Sequence, residues 1–188
     1  MKALTLLRIQ AHANRLANHR LHGSMAALST EELHAPRTSF FPTLMATLNH
    51  ILGVDLYYVG ALCRDPDPAA HWHGFVPATT LQDLAQRQRS SDERLMAWLR
   101  SADDAALDAP VHMPRSGGRV QVDQAAHMLQ HLFMHQTHHR GQVHAMLSGT
   151  PVAPPQLDEF LMPSEPHLRT ADMASLGWRE AEVYGPGL

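Results

Sequence analysis

From Thr38 to Leu62 the chain reads TSFFPTLMATLNHILGVDLYYVGAL, apolar on most sides of any helix drawn through it. A helix of that kind is stable only when other elements cover most of its circumference. What can surround it limits the fold. Three further segments carry helical periodicity. The first runs from about Lys2 to Leu28, with Leu4, Leu7, Ala11, Leu21, Met25 and Leu28 recurring at helical spacings. Another runs from about Leu81 to Arg100, opened by Thr80 as N-cap with Asp83 three residues on. The last is predicted to be capped by Asp123 and to run to about Leu147, stopped by Gly149 and Pro151. Pro42 falls in the first turns of the apolar helix, where proline is tolerated. Four long helices predict an all-α protein, a four-helix bundle.

The connections read as follows. Ser29 to Glu32 match a capping box and predict a short helical turn. CRDPDPAAHWHGFVPAT is a loop by its prolines and glycine. APVHMPRSGGRVQV predicts a small hairpin around Ser116, Gly117 and Gly118. Beyond Pro155 the pattern weakens. LDEFL and the stretch from Glu165 to Leu176 are expected to form short helices, and residues 177–188 a tail.

A chain of 188 residues is long enough for one domain with a real core. Its net charge of −3, with basic residues scattered, offers no footprint for nucleic acid. Cys63 is the single cysteine, so no intrachain disulfide forms, and a reducing compartment is expected. The opening MKALTLLRIQ is interrupted by Arg8 and Gln10 and does not read as a secretory leader. No run approaches the roughly 20 apolar residues that span a bilayer. The expectation is a cytoplasmic protein without membrane partners. No phosphate-binding glycine loop, Cys-x-x-Cys or Ser-His-Asp arrangement is visible.

Histidine is the unusual residue, with 15 in the chain. Five of them fall within residues 127–139 of the last helix, HMLQHLFMHQTHH. Successive residues turn by about 100°, so these rings cannot all face inward. With His135 set at zero, Met128 and Met146 lie at about 20°, Leu132 at about 60° and Val143 at about 80°. His139 falls at about 40°, inside that apolar arc. His131, His138 and His127 lie off its edge at about −40°, −60° and −80°, and His144 lies opposite at about 180°. His135 and His139 are therefore the candidate metal-binding pair, since two imidazoles on an apolar face are costly unless satisfied. The alternative is a polar pair lining a helix boundary. His127, His131, His138 and His144 are assigned to the surface or to supporting roles. A third ligand has to come from another buried helix. His50, between Leu48, Ile51 and Leu52, is the leading candidate; Asp55, about 140° further round, is the weaker one.

These residues resemble a known family. HLFMHQTHHRGQVHAMLSG in the last helix, FPTLMATLNHIL in the second and AHANRLAN in the first are similar, in that order, to the DinB/YfiT-like superfamily. The resemblance runs from about residue 2 to 162, leaving 163–188 as a C-terminal extension of no assigned role. It departs from the family pattern at His12, which stands where an aromatic residue is usual. The resemblance implies an up-down-down-up bundle, a homodimer, and a metal held by His50, His135 and His139.

Three neutral imidazoles suit zinc, nickel, iron(II) or copper and leave positions open for water or substrate. Asn49, Asp55, Tyr57 and Gln142 are the nearby candidates to orient the ligands. Relatives in the superfamily include thiol-dependent S-transferases and a mycothiol-dependent isomerase. The resemblance thus implies metal-activated thiolate attack on a small electrophile, with a divalent zinc, nickel or iron ion and a low-molecular-weight thiol as cosubstrate. A metal-dependent hydrolase and a non-catalytic, metal-binding stress-response protein are the alternatives.

Overall fold

The computed structural model describes residues 2–158 and 162–184. The chain is mostly helical. In order it forms α1 (Ala3–Met25), the short α2 (Thr30–His34), α3 (Leu44–Leu62), the one-turn α4 (Ala70–His73), α5 (Leu81–Ser101) and α6 (Asp104–Asp108). Strands β1 (Pro110–Pro114) and β2 (Val120–Gln124) follow, then α7 (Ala125–Leu147), α8 (Thr170–Leu176) and α9 (Glu180–Tyr184). The long helices pack on one another: α1 along α5, and α3 against both α5 and α7, with α1 also touching α7. Sixteen of the nineteen residues of α3 are buried, as its apolar circumference requires.

Side chains at the helix starts explain several boundaries. Ser29 and Glu32 form the reciprocal capping box that opens α2. Thr80 accepts from the Asp83 amide and opens α5. The apolar helix starts six residues later than the pattern predicts. Thr43, not Thr38, is its N-cap, with its hydroxyl accepting from the Ala46 amide at 3.0 Å. Residues 38–43 stay irregular, and this sets Phe41 free to turn inward. Asp123 does not cap α7. It lies in β2, paired with Val111, and Gln124 stands at the N-cap without a side-chain bond. The hairpin registers Pro110 with Gln124 and Pro114 with Val120. Its turn needs Gly117, whose φ of 71° lies in the left-handed region.

The C-terminal segment is more ordered than a tail. Arg169, 2% exposed, grips both carboxylate oxygens of Glu180 and donates to the Met162 carbonyl. Arg20 on α1 reaches Asp172 and the carbonyls of Gln156 and Leu168. Trp178 meets the His12 ring edge-on at 4.9 Å. The helix expected over LDEFL falls partly on residues 159–161, which lie outside the described residues; that expected over Glu165 to Leu176 is present as a single 3₁₀ turn and α8.

The core is not uniformly apolar. Three helices each contribute a polar pair one turn apart: Asn14 and Asn18 from α1, Gln88 and Asp92 from α5, Gln136 and Arg140 from α7, all buried. Asp55 of α3 completes the group. Arg140 donates to the side-chain oxygens of Asn14, Asn18 and Gln136. Asp92 accepts from Asn14, Asn18 and Gln88. Asp55 accepts through one oxygen from Gln88 and Gln136. Burial, reinforced by the nearby Asp92, pushes the Asp55 carboxyl well above the usual range. Burial likewise pushes Asp92 up to about 6 and Arg140 down to about 10, so the guanidinium remains charged at neutral pH. The amides act as neutral relays between the Arg140 guanidinium and two reluctant anions, with buried Arg15 also acting on Asp92.

His22 of α1 is buried too, and burial beside Arg15 and Arg140 pushes its imidazole down to about 3. In the unfolded chain it takes a proton near its ordinary value of about 6.5. Unfolding therefore binds a proton between these values, and stability is lost as pH falls through that window. The slope from this one group reaches about 1.4 kcal/mol per pH unit. Urea denaturation at pH values on both sides of the window is expected to show a shallower acid loss for His22→Gln than for the wild type. Equal slopes would show that His22 is not the group responsible.

Candidate metal centre

α3 and α7 bring His50, His135 and His139 together. One nitrogen from each lies within 4.8 Å of the others. The Nε2 atoms of His50 and His135 stand 2.9 Å apart. Nitrogens bound at 2.0–2.1 Å to a single ion stand roughly 3 Å from one another, so this pair already has a ligand-like separation. The His139 ring lies 4.5 Å from that of His50 and 4.4 Å from that of His135, near-perpendicular to the first.

The donor set is in the right chemical form. Burial, with His139 beside it, lowers His50 to about 4. Burial and the neighbouring His139 and His50 lower His135 to about 3. Burial lowers His139 against the opposing bond from Gln142. All three are neutral at pH 7, each with one ring nitrogen carrying a lone pair. His139 Nδ1 lies 2.7 Å from the Gln142 Oε1, an acceptor. That contact places the proton on Nδ1 and turns the lone pair of Nε2 to the cluster. His135 Nδ1 is buried with no hydrogen-bond partner. The three residues thus fit a transition-metal ion in charge state and in approach.

The other candidates fall in different places. Gln142 alone among the four orienting candidates touches one of the three imidazoles. Asn49 clasps the Ala78 backbone, accepting from its N–H at 2.7 Å and donating to its carbonyl at 2.9 Å. Asp55 belongs to the buried polar group of the core. Tyr57 donates to the Pro114 carbonyl on the hairpin. His127, His131 and His138 are exposed. The His131 ring rests edge-on against Tyr58 at 5.3 Å, and His144 lies 3.1 Å from the Pro155 carbonyl.

Sequence reasoning missed the aromatic wall beside the histidines. Phe41 stacks on the His50 ring at 4.3 Å and approaches His139 at 5.7 Å. Phe75 lies against Gly53, one turn along α3 from His50, and Trp72 projects from α4 nearby. The sequence signal for Phe41 was the Pro42-Thr43 pair, which ends the irregular segment just beyond it.

A mostly helical chain with three converging neutral imidazoles has the architecture of a helical protein compatible with metal binding. The DinB family model matches residues 5–169, and the chain belongs to the DinB family. No curated protein matches the chain. No described helix is long and apolar enough to cross a membrane.

Proposed function

We propose that this protein is a metal-dependent enzyme of the DinB family that binds a zinc, nickel or iron ion through His50, His135 and His139. The observation that carries the reading is the convergence of three uncharged imidazoles from two helices. On this reading α1, α3, α5 and α7 form an up-down-down-up four-helix bundle, which is consistent with their mutual packing. Bound there, the ion would act as a Lewis acid that lowers the pKa of a thiol or water it holds. Three protein ligands leave it open positions. The Nε2 atoms of His50 and His135 face each other across a hydrogen bond whose one shared proton a bound ion would replace, and Gln142 keeps His139 in the matching tautomer. Phe41 covers the His50 face and excludes water from that side.

The reaction proposed is thiol-dependent S-transfer to a small electrophile: the thiolate sulfur forms a bond to an electrophilic carbon as the leaving group departs. Hydrolysis at the same centre is the second reading. Assembly as a homodimer would cover the α1–α7 groove, where Leu6 is 54% exposed. The test begins with elemental analysis of untagged protein purified without chelator or metal resin. About one ion per chain is expected. Product analysis of the metal-loaded protein with a small electrophile, with and without added low-molecular-weight thiol, then separates the reactions. Thioether formed only with thiol supports transfer; turnover without thiol supports hydrolysis. A folded protein that takes up no metal overturns both and leaves a non-catalytic role, such as one in stress response.

A further inference from the structure

Beside His50, between α3 and the segment from Trp72 to Thr79, lies a cleft of about 590 Å³. Its volume falls within the range of small-molecule sites. Three aromatic rings bound it. Phe41 stacks on His50 at 4.3 Å. Phe75 lies over Gly53, where an added Cβ would already stand 3.6 Å from the ring. Trp72, 54% exposed, stands at the mouth. None of the described lining residues is a lysine, arginine, aspartate or glutamate.

The polar groups of the cleft are largely committed to holding its walls. Asn49 uses its amide oxygen on the Ala78 N–H and its amide nitrogen on the Met45 and Ala78 carbonyls. Thr43 accepts from the Ala46 N–H, and His34 contacts the Thr79 carbonyl. Recognition inside the cleft is therefore mainly by shape and ring contact, with His50 as the polar group at its histidine end. An anion entering would lose its water and meet no cation among the lining residues; Arg87, over the Phe75 ring at 5.3 Å, is already engaged by the Val76 carbonyl and Asp83. A flat apolar molecule would gain contact with three rings.

We propose that this cleft is the substrate-recognition pocket of the histidine centre and that it takes planar, uncharged aromatic molecules, directing their one polar or electrophilic end to His50. The assignment of the pocket to catalysis rests on the metal-enzyme reading above; its selectivity does not. A carboxylate-bearing thiol cosubstrate would then have to approach the centre from outside this cleft.

The test uses metal-free full-length protein, so that no probe is held by a metal. 2-Naphthol, a neutral planar probe, and 2-naphthoate, its anionic counterpart, are titrated calorimetrically near neutral pH. 2-Naphthol is expected to bind at least about tenfold more tightly than 2-naphthoate. Gly53→Leu, which drives Phe75 into the cleft, is expected to weaken 2-naphthol at least about tenfold. Trp72→Ala removes a half-exposed ring that meets the core only edge-on at Tyr57 and is expected to weaken it severalfold, so the proposal stays testable even where the leucine variant does not fold. No 2-naphthol binding, equal affinity for the two probes, or binding indifferent to Trp72→Ala overturns the proposal. Reloading the same preparations with metal and measuring uptake tells the two failures apart. Metal uptake without naphthol binding sinks the pocket alone, and naphthol binding without metal uptake sinks the enzyme reading alone.

Discussion

His135→Ala is expected to reduce metal content from about one ion per chain to background, whereas His131→Ala, one turn earlier on the same helix, leaves it unchanged. The contrast follows from geometry. His135 faces His50 at 2.9 Å, while His131 is exposed and rests against Tyr58. Gln142→Ala lies between the two. It keeps all three rings but frees the His139 tautomer, and losses of such an outer partner weaken metal by about 10–100-fold. Competition with a chromophoric chelator reads all three variants on one scale. A His131→Ala loss as large as that of His135→Ala would move the ligand set a turn up α7 and refute the assignment.

The second large effect concerns stability. Arg140→Met is expected to cost about 3–5 kcal/mol, the usual range when one member of a buried charged group is removed. At about 2–4 °C per kcal/mol for a chain of this size, the midpoint should fall by roughly 10 °C. The arginine is 8% exposed and satisfies oxygens of Asn14, Asn18 and Gln136 at once. Methionine fills the space but leaves those acceptors without their donor and Asp92 with only Arg15 as a nearby buried cation. Asp92→Asn is expected to be far milder, because burial already holds that carboxyl near half-protonation at pH 6. Both comparisons belong in metal-stripped protein, where ligand binding adds nothing to the folded state. An Arg140→Met cost below about 1 kcal/mol would mean that the group is hydrated or rearranged rather than sealed.

Much of this was readable in the sequence because it depended on local rules. The i,i+4 spacing of His135 and His139 within an apolar arc puts both rings on one side of α7, and the apolar surroundings of His50 put it opposite. Thr80, the Ser29–Glu32 box and the paired glycines of the hairpin each specify their own turn. What escaped depended on contacts between distant segments. The start of α3 was misplaced because periodicity runs unbroken through Phe40 and Phe41, while the Thr43 cap and the stacking of Phe41 on His50 decide the matter in three dimensions. Asp123 looks like a cap, yet pairing with Val111 draws it into β2. The ordering of residues 162–184 rests on Arg169, Arg20 and Trp178, whose partners are found only in the fold. The polar core left a signal that apolar counting overlooks: three polar pairs at i,i+4 on three helices. Each pair taken alone reads as a solvent face.

Those pairs bear on the alignment of the helices. An apolar seam is permissive: leucines one turn apart are near equivalents, so a helix can slip by a turn of about 5.4 Å and still bury its stripe. Gln88 with Asp92 and Gln136 with Arg140 oppose such a slip, because it would put an amide where a charge is needed. Gln136 follows His135 and Arg140 follows His139 directly in the chain, and Asp55 lies on the same helix as His50. The core polar group therefore works as a detent, a notch that stops α3 and α7 at the single axial setting in which three imidazoles share a focus.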